Sequence, residues 1–154
     1  YIFRKGKAPG VPPTNWQSKF GGSAWEYVEK FDEYYLHLFD VSQPDLNWEN
    51  PRVRQEIRKV VKFWMGKGVK GFRFDVINLI SKGAYEDDEE GDGRRFYTDG
   101  PKIHQYLKEL NAATFGTDAE IVTVGEMSST SLENCYQYAN GEGTELSMVF
   151  SSII

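Results

Sequence analysis

Apolar residues beyond residue 50 follow two alternating patterns. From Val53 to Trp64 they recur at every third or fourth position, which predicts an amphipathic helix. The run VKGFRFDVI at 69–77 is nearly continuous in apolar residues and predicts a buried strand. The alternation continues with helices predicted in PKIHQYLKELNAATF and SLENCYQYAN, and strands predicted in IVTVGEM and LSMVF. This order predicts an α/β fold in which helices cover a parallel sheet.

The predicted helices carry start signals. Asn50 is the expected N-cap of the first helix, with Pro51 at its first position. Pro101 is predicted to open the second helix, and Thr130 with Glu133 to form a capping box for the third. Two sets of residues are expected to be buried by these helices: Val53, Ile57, Val60, Val61 and Trp64 in the first, and Ile103, Tyr106, Leu107 and Leu110 in the second.

The first 50 residues and the connection after the first predicted strand lack helical periodicity. Residues 1–24 are predicted to form a loop, residues 25–39 a short hairpin turning near Asp32, and residues 83–95 an acidic loop. The segment GKGVKG matches the glycine pattern of a dinucleotide-binding loop, but it follows a helix and precedes a strand. That order is the reverse of the one needed to present a helix N-terminus to a pyrophosphate, so Gly66 and Gly68 are interpreted as a helix stop.

Composition narrows the functional classes. The chain has 154 residues with a net charge of −5, which argues against a general binder of nucleic acids or anionic membranes. It has no apolar run of the roughly 20 residues that a membrane span needs. Cys135 is the single cysteine, which excludes an internal disulfide and is compatible with the cytoplasmic location that we predict. The sequence indicates no cofactor.

Two carboxylates stand at the ends of successive predicted strands. Asp75 lies near the carboxyl end of the first strand and Glu126 near that of the second. Neighbouring strands are about 4.8 Å apart, so the two carboxyl groups are expected to face each other across one cleft. Retaining glycosidases use such a pair as nucleophile and acid/base. Arg73 is two residues before Asp75 and is expected on the same face, where it can orient the nucleophile in its ionised form.

These segments carry a family resemblance. GFRFDVI resembles the nucleophile motif of the α-amylase superfamily (glycoside hydrolase family 13), VGEM resembles its acid/base motif, and QPDLNW resembles the segment that ends its inserted B domain. FGGSAWEY and EYYLHLF match the oligo-1,6-glucosidase branch. The resemblance implies part of a (β/α)₈ TIM barrel, about three strand–helix units, with Asp75 as nucleophile, Glu126 as acid/base and Arg73 beside the nucleophile.

The resemblance also implies a substrate and a domain division. Val76 resembles branch members acting on linkages other than α-1,4, and EGDGRRFYTDGPKIH with GEMSSTSLENC resembles phospho-α-glucosidases. Arg94 and Arg95 are therefore candidate phosphate ligands, although they can instead neutralise the acidic residues 86–92. The expected partner is a small sugar or sugar phosphate; a non-phosphorylated isomalto-oligosaccharide, or a non-catalytic binding role, remains an alternative. Residues 1–44 are predicted to end the B domain and residues 45–154 to belong to the barrel.

Other features are expected to be structural. The family's first and last motifs have no counterpart in the chain, so it is expected to be a central fragment that is inactive alone. Asp88, Glu90 and Asp92 approach a calcium-loop spacing, but glutamate at the third position and two following arginines favour a solvated loop, and no metal is predicted. Cys135 is predicted to lie among polar neighbours. Packing is the expected role of Trp16, Trp25, Trp48, His37 and His104.

Overall fold

The computed structural model of the chain describes residues 1–151. The backbone forms two compact units. The first contains Tyr1–Asn47 together with Gly83–Tyr97, and the second contains Trp48–Lys82 and the chain from Thr98 onward. The acidic loop therefore belongs with the N-terminal segment, whereas the sequence placed it with the barrel strands. The assignment of the N-terminal segment to an inserted B domain remains a prediction.

The first unit contains an antiparallel sheet. Its strands β1 (Phe3–Arg4), β2 (Trp25–Val28) and β3 (Glu33–Leu36) are arranged in the order β1-β3-β2. The hairpin of β2 and β3 is confirmed, with Asp32 at its turn in the left-handed conformation (φ 51°). The sequence missed β1, because two residues of pairing leave no periodic signal.

Trp16 is at the centre of the first unit. It is fully buried, its ring stacks on Tyr85 and Phe96 at centroid distances of 5.4 and 6.0 Å, and its indole N–H donates to the carbonyl of Glu86 (2.8 Å). Burial confirms that Trp16 and Trp25 pack inside this unit. The predicted loop at 83–95 is interrupted by the short helix α2 (Arg94–Tyr97), another correction to the sequence-based prediction.

The second unit has the predicted alternation of helices and parallel strands. Its elements in chain order are α1 (Pro51–Gly66), β4 (Gly71–Phe74), α3 (Ile103–Ala113), β5 (Val122–Met127), α4 (Leu132–Tyr138) and β6 (Met148–Ser151). The strands form a parallel sheet in the order β4-β5-β6, so each is hydrogen bonded to the next one in the chain. This confirms the α/β fold class. The first strand is shorter than the predicted run at 69–77 because the chain turns directly after Phe74.

The helices pack on the sheet through one apolar cluster. Ile103, Tyr106, Leu107 and Leu110 of α3 are all buried, as predicted. In α1 the buried stripe is narrower than predicted: Val61 is buried, whereas Val60 and Trp64 are about half exposed. Ile57 and Met65 pack against the cluster with Val61. The spacing from Ile57 to Val61 to Met65 therefore defines the inner face, and places Val60 and Trp64 beside it.

Three other expectations are corrected. The second helix begins at Ile103 after Lys102, so Pro101 lies in the preceding turn. The cap of α4 is Ser131, whose hydroxyl accepts from the backbone N–H of Asn134 (3.1 Å). Thr130 forms no capping box with Glu133 because its hydroxyl donates to Asp99 instead. Cys135 is buried in the apolar cluster, since its face of α4 turns toward the sheet.

Candidate active site

Asp75 and Glu126 are neighbours across two parallel strands. In the ladder of β4 and β5, Arg73 is opposite Val124 and Phe74 is opposite Gly125. The next position along places Asp75, just beyond β4, beside Glu126. The two side chains differ in exposure, at 74% for Asp75 and 23% for Glu126. The sheet thus presents one open carboxylate and one partly enclosed carboxyl group at the same edge.

Arg73 connects the two carboxyl groups. One guanidinium nitrogen, Nη1, is 3.0 Å from Asp75 Oδ1, and the other, Nη2, donates to Glu126 Oε2. The guanidinium also lies over the ring of Phe150 in β6, with 5.8 Å between Cζ and the ring centroid. Charge-assisted bonds from a planar guanidinium fix direction as well as distance. Arg73 therefore sets the orientation of the Asp75 and Glu126 carboxyl groups relative to each other.

The surroundings of Glu126 favour its protonated form. A hydrogen bond with the Asp75 side chain raises the pKa of Glu126 above its usual value, and partial burial and the negative charge of Asp75 act in the same direction. The positive charge of Arg73 and a hydrogen bond from the backbone N–H of Val76 oppose the rise without cancelling it. A carboxyl group with a raised pKa can serve as the acid that assists a neighbouring nucleophile.

Val76 occupies an unusual backbone conformation directly after Asp75. Its φ of 38° and ψ of 45° lie in the left-handed region, which β-branched residues rarely adopt. The chain then enters a 3₁₀ turn over Ile77–Leu79, where the N–H of Leu79 donates to the carbonyl of Val76 (3.0 Å). The sharp turn ends β4 one residue before Asp75 and leaves this carboxylate exposed.

The two candidate phosphate ligands lie in the first unit. Arg94 Nε is 2.8 Å from Asp92 Oδ2, and Arg95 Nε is 3.0 Å from Asp88 Oδ1. Both arginine side chains remain more than half exposed. Lys19, which the sequence did not single out, is near Arg94: partial burial and then the charge of Arg94 lower the pKa of its ammonium group. The negative charge of Asp92 acts on Lys19 in the opposite direction, so Lys19 and Arg94 are two neighbouring cations with one carboxylate beside them.

The remaining candidates have structural contacts. His37 Nδ1 is 3.0 Å from the carbonyl of Phe39, and His104 Nδ1 is 2.7 Å from Glu145. Asp88 accepts from the backbone N–H of Gly93 (3.0 Å) in addition to its pairing with Arg95. Within residues 1–151, no group of three or more His, Cys, Asp or Glu side chains is arranged to hold a metal ion.

No helix in the described part of the chain has both the length and the apolar character required to cross a membrane.

Comparison with known proteins places this site in context. A family model described as the catalytic domain of alpha amylase matches residues 1–153. The trehalose-6-phosphate hydrolase of Escherichia coli K12 is 57% identical over 152 residues, covering 98% of this chain and 27% of that protein. The oligo-1,6-glucosidase of Bacillus cereus is 49% identical over 156 residues, covering 97% of this chain and 28% of that protein.

Solved structures give the same picture. The crystal structure of the trehalose-6-phosphate hydrolase of Bacillus licheniformis superimposes with a TM-score of 0.94 at 55% identity. The match covers 98% of this chain and 27% of that structure. The chain thus spans just over a quarter of the length of the relatives it matches.

Proposed function

The chain belongs to the α-amylase catalytic-domain family, and we propose that it supplies the nucleophile and the acid/base of a retaining α-glucoside hydrolase. The observation that carries this proposal is the bridge formed by Arg73 between Asp75 and Glu126. Family membership supports the proposal with a fold, the (β/α)₈ barrel, in which catalytic groups stand at the carboxyl ends of strands. Asp75 and Glu126 lie at those ends of β4 and β5.

The proposed reaction has two displacements. Asp75 attacks the anomeric carbon of the sugar and forms a covalent glycosyl ester while Glu126 donates its proton to the departing glycosidic oxygen. Glu126, now a carboxylate, then removes a proton from water. That water attacks the same carbon and releases Asp75, so the configuration at the carbon is retained and both carboxyl groups return to their starting states.

Two features of the site support retention over inversion. Inverting enzymes separate their carboxyl groups by about 6.5–9.5 Å to admit a water molecule, whereas retaining enzymes hold them about 5–5.5 Å apart. Here one guanidinium, that of Arg73, contacts both carboxyl groups, which places Asp75 and Glu126 close to each other. The raised pKa of Glu126 suits the group that must carry a proton when substrate binds.

The proposed substrate is trehalose 6-phosphate, with glucose and glucose 6-phosphate as products. The higher identity to trehalose-6-phosphate hydrolases, 57% and 55%, compared with 49% to an oligo-1,6-glucosidase, supports this choice. Arg94 and Arg95 are paired with Asp92 and Asp88, as the alternative role predicts, but both side chains remain more than half exposed, and they are proposed to bind the phosphate. Val76, next to the nucleophile, is proposed to contact the sugar.

Isomalto-oligosaccharides are the second candidate substrates, because identity to an oligo-1,6-glucosidase is only a few percentage points lower. The two candidates differ in one chemical group, the phosphate. A cytoplasmic location is proposed with either substrate and is compatible with the single cysteine.

A side-by-side assay of the full-length protein tests this proposal. We expect a higher kcat/KM for trehalose 6-phosphate than for isomaltose, and we expect replacement of Arg94 and Arg95 by glutamine to lower only the value for the phosphorylated sugar. A higher kcat/KM for isomaltose would transfer the assignment to oligo-1,6-glucosidase. Failure to hydrolyse any α-glucoside would leave a non-catalytic binding role.

A further inference from the structure

The buried amide of Asn78 joins the segments that follow the two carboxylates. Asn78 is three residues after Asp75, is fully buried, and faces Ser128, two residues after Glu126. Its Oδ1 accepts from the backbone N–H of Ser128 (2.9 Å), and its Nδ2 donates to the carbonyl of the same residue (2.8 Å). The Asn78 amide thus makes the two hydrogen bonds to Ser128 that the backbone of a neighbouring strand would make. These bonds lie beyond Phe74 and Gly125, the last pair of the β4–β5 ladder.

Asp99 fixes the orientation of this amide. Its Oδ1 accepts from Asn78 Nδ2 (3.2 Å), and its backbone N–H donates to the carbonyl of Asn78 (2.9 Å). The Asp99 carboxylate also accepts from three side chains of the segment after β5: Thr130, Asn134 (3.1 Å) and Tyr138. An amide flip would turn Oδ1 of Asn78 toward the carboxylate and lose the bonds to Ser128, so the network permits one orientation.

The backbone around this network is strained. Val76, Asp99 and Ser129 have φ values of 38°, 48° and 53°, and none is glycine. Each such conformation is unfavourable for a residue with a side chain and persists only where its surroundings hold it. Asp99 is itself one of these residues, and Asn78 binds the backbone of Asp99 and that of Ser128, which directly precedes Ser129. The network therefore holds a geometry that the two segments would not keep by themselves.

We propose that Asn78 is a positioning residue that fixes the carboxyl group of Asp75 against that of Glu126, with Asp99 orienting its amide. The proposal rests on the proposed function for its catalytic consequence. Arg73 orients the carboxyl groups from within the cleft, whereas Asn78 fixes the backbone segments from which they project. Loss of the amide allows the two strand ends to separate, which weakens the Asp75–Glu126 contact.

The kinetic test uses the full-length protein with Asn78→Ala. We expect kcat to fall about 10- to 100-fold with little change in KM. A rate loss of this size is typical when a mutation moves the catalytic groups by about 1 Å. In a plot of kcat/KM against pH, the fall at high pH (the basic limb) should move to lower pH. The reason is that Glu126 loses the contact with Asp75 that raises its pKa. The matched control is Asn111→Ala: Asn111 Nδ2 also bonds two backbone carbonyls, of Gly143 (3.1 Å) and Glu145 (2.8 Å), at the end of α3. The control should lose stability without moving the pH limb.

A second readout does not depend on substrate. Carbodiimides modify protonated carboxyl groups, so the pH dependence of labelling at Glu126, read by peptide mass spectrometry, reports its protonation. The pH dependence of labelling should shift to lower pH in Asn78→Ala, and to a smaller extent in Asp99→Asn. The Asp99→Asn variant provides the test if Asn78→Ala does not fold. An unchanged labelling profile in the folded variants would overturn the positioning role. Absence of α-glucoside hydrolysis by the wild type, with the labelling shift present, would overturn the proposed function alone.

Discussion

Arg73 acts on both members of the carboxyl pair, and its two contacts differed in predictability. The contact with Asp75 follows from strand geometry, since residues two apart share a face, and the distance of 3.0 Å confirms it. The contact with Glu126 depends on the register between β4 and β5, which no local pattern specifies. Asn78 and Asp99 were missed for the same reason. The apolar letters around Asn78 predict only a buried strand, and its partners lie 21 and 50 residues away.

Replacement of Arg73 by glutamine should shift the pH profile in the direction opposite to Asn78→Ala. The charge of Arg73 lowers the pKa of Glu126, so its removal should raise that pKa further. Because Glu126 must be protonated to act as acid, the basic limb of kcat/KM should move to higher pH while kcat falls. Arg58→Gln, which removes an ion pair with Glu109 (3.0 Å), is the control and should leave the limb in place. A limb that moves to lower pH in Arg73→Gln would contradict the assignment of Glu126 as acid.

Replacement of Asp75 by asparagine should reduce kcat by several orders of magnitude and preserve the fold, because an amide cannot form the glycosyl ester. Asp118→Asn is the matched control. Asp118 is also in an ion pair, with Lys70 (2.6 Å), but these two residues precede β5 and β4 in the chain, whereas Asp75 follows β4. Steady-state hydrolysis by the full-length protein measures both. Turnover of the Asp75 variant within tenfold of wild type would show that another residue is the nucleophile.

At the scale of elements, sequence motifs predicted the start of a helix correctly where the cap depends only on residues adjacent in the chain. Asn50 caps α1 as predicted, accepting from the backbone N–H of Arg52 (3.0 Å). The predicted capping box of Thr130 and Glu133 is wrong, because the hydroxyl of Thr130 donates to Asp99, which is 31 residues away in the sequence. A motif of capping residues therefore predicts a helix start only where no buried partner competes for the side chain.

Gly125 shows how packing constrains the strand that carries Glu126. A Cβ at this position would lie 2.6 Å from Leu146 Cδ1, which is too close for two carbon atoms, and 3.1 Å from Ile77 Cγ2, which is a tight contact. We expect Gly125→Ala to destabilise the unit by about 1–3 kcal/mol through overpacking. The control is Gly71→Ala in β4, where the nearest atom is a carbonyl oxygen at 3.7 Å. Thermal unfolding of the full-length protein should show a lower midpoint for the first variant alone; equal midpoints would contradict the overpacking argument.

At the scale of the whole molecule, the order of elements was predictable and the grouping of the acidic loop was not. Periodicity gave three helix–strand pairs, and the parallel sheet followed from their order. The loop at 83–97 joins the N-terminal segment through contacts such as Asn15 to Asp88 (2.8 Å) and the indole of Trp16 to Glu86, about 70 residues apart. Such contacts depend on complementary surfaces, which have no sequence period.

Expressed alone, residues 1–154 should associate and should show no hydrolysis. In the described sheet, β4 and β6 are the outer strands, and Val122, Met148 and Phe150 are about half exposed. Open strand edges beside apolar side chains favour pairing with other chains. Light scattering after gel filtration and an assay with p-nitrophenyl α-glucoside measure the two outcomes. A monomer whose turnover is abolished by Asp75→Asn would contradict this expectation.

The central claim is that Asp75 becomes covalently bound to the sugar while Glu126 supplies and recovers the proton. The most direct measurement is to incubate the full-length protein with 5-fluoro-α-glucosyl fluoride, whose ring fluorine slows breakdown of the glycosyl ester, and to locate the adduct by peptide mass spectrometry. We predict one fluoroglucosyl group per chain, on Asp75, and none in Asp75→Asn. An adduct on a different residue, or release of sugar with inverted configuration and no adduct, would contradict the account.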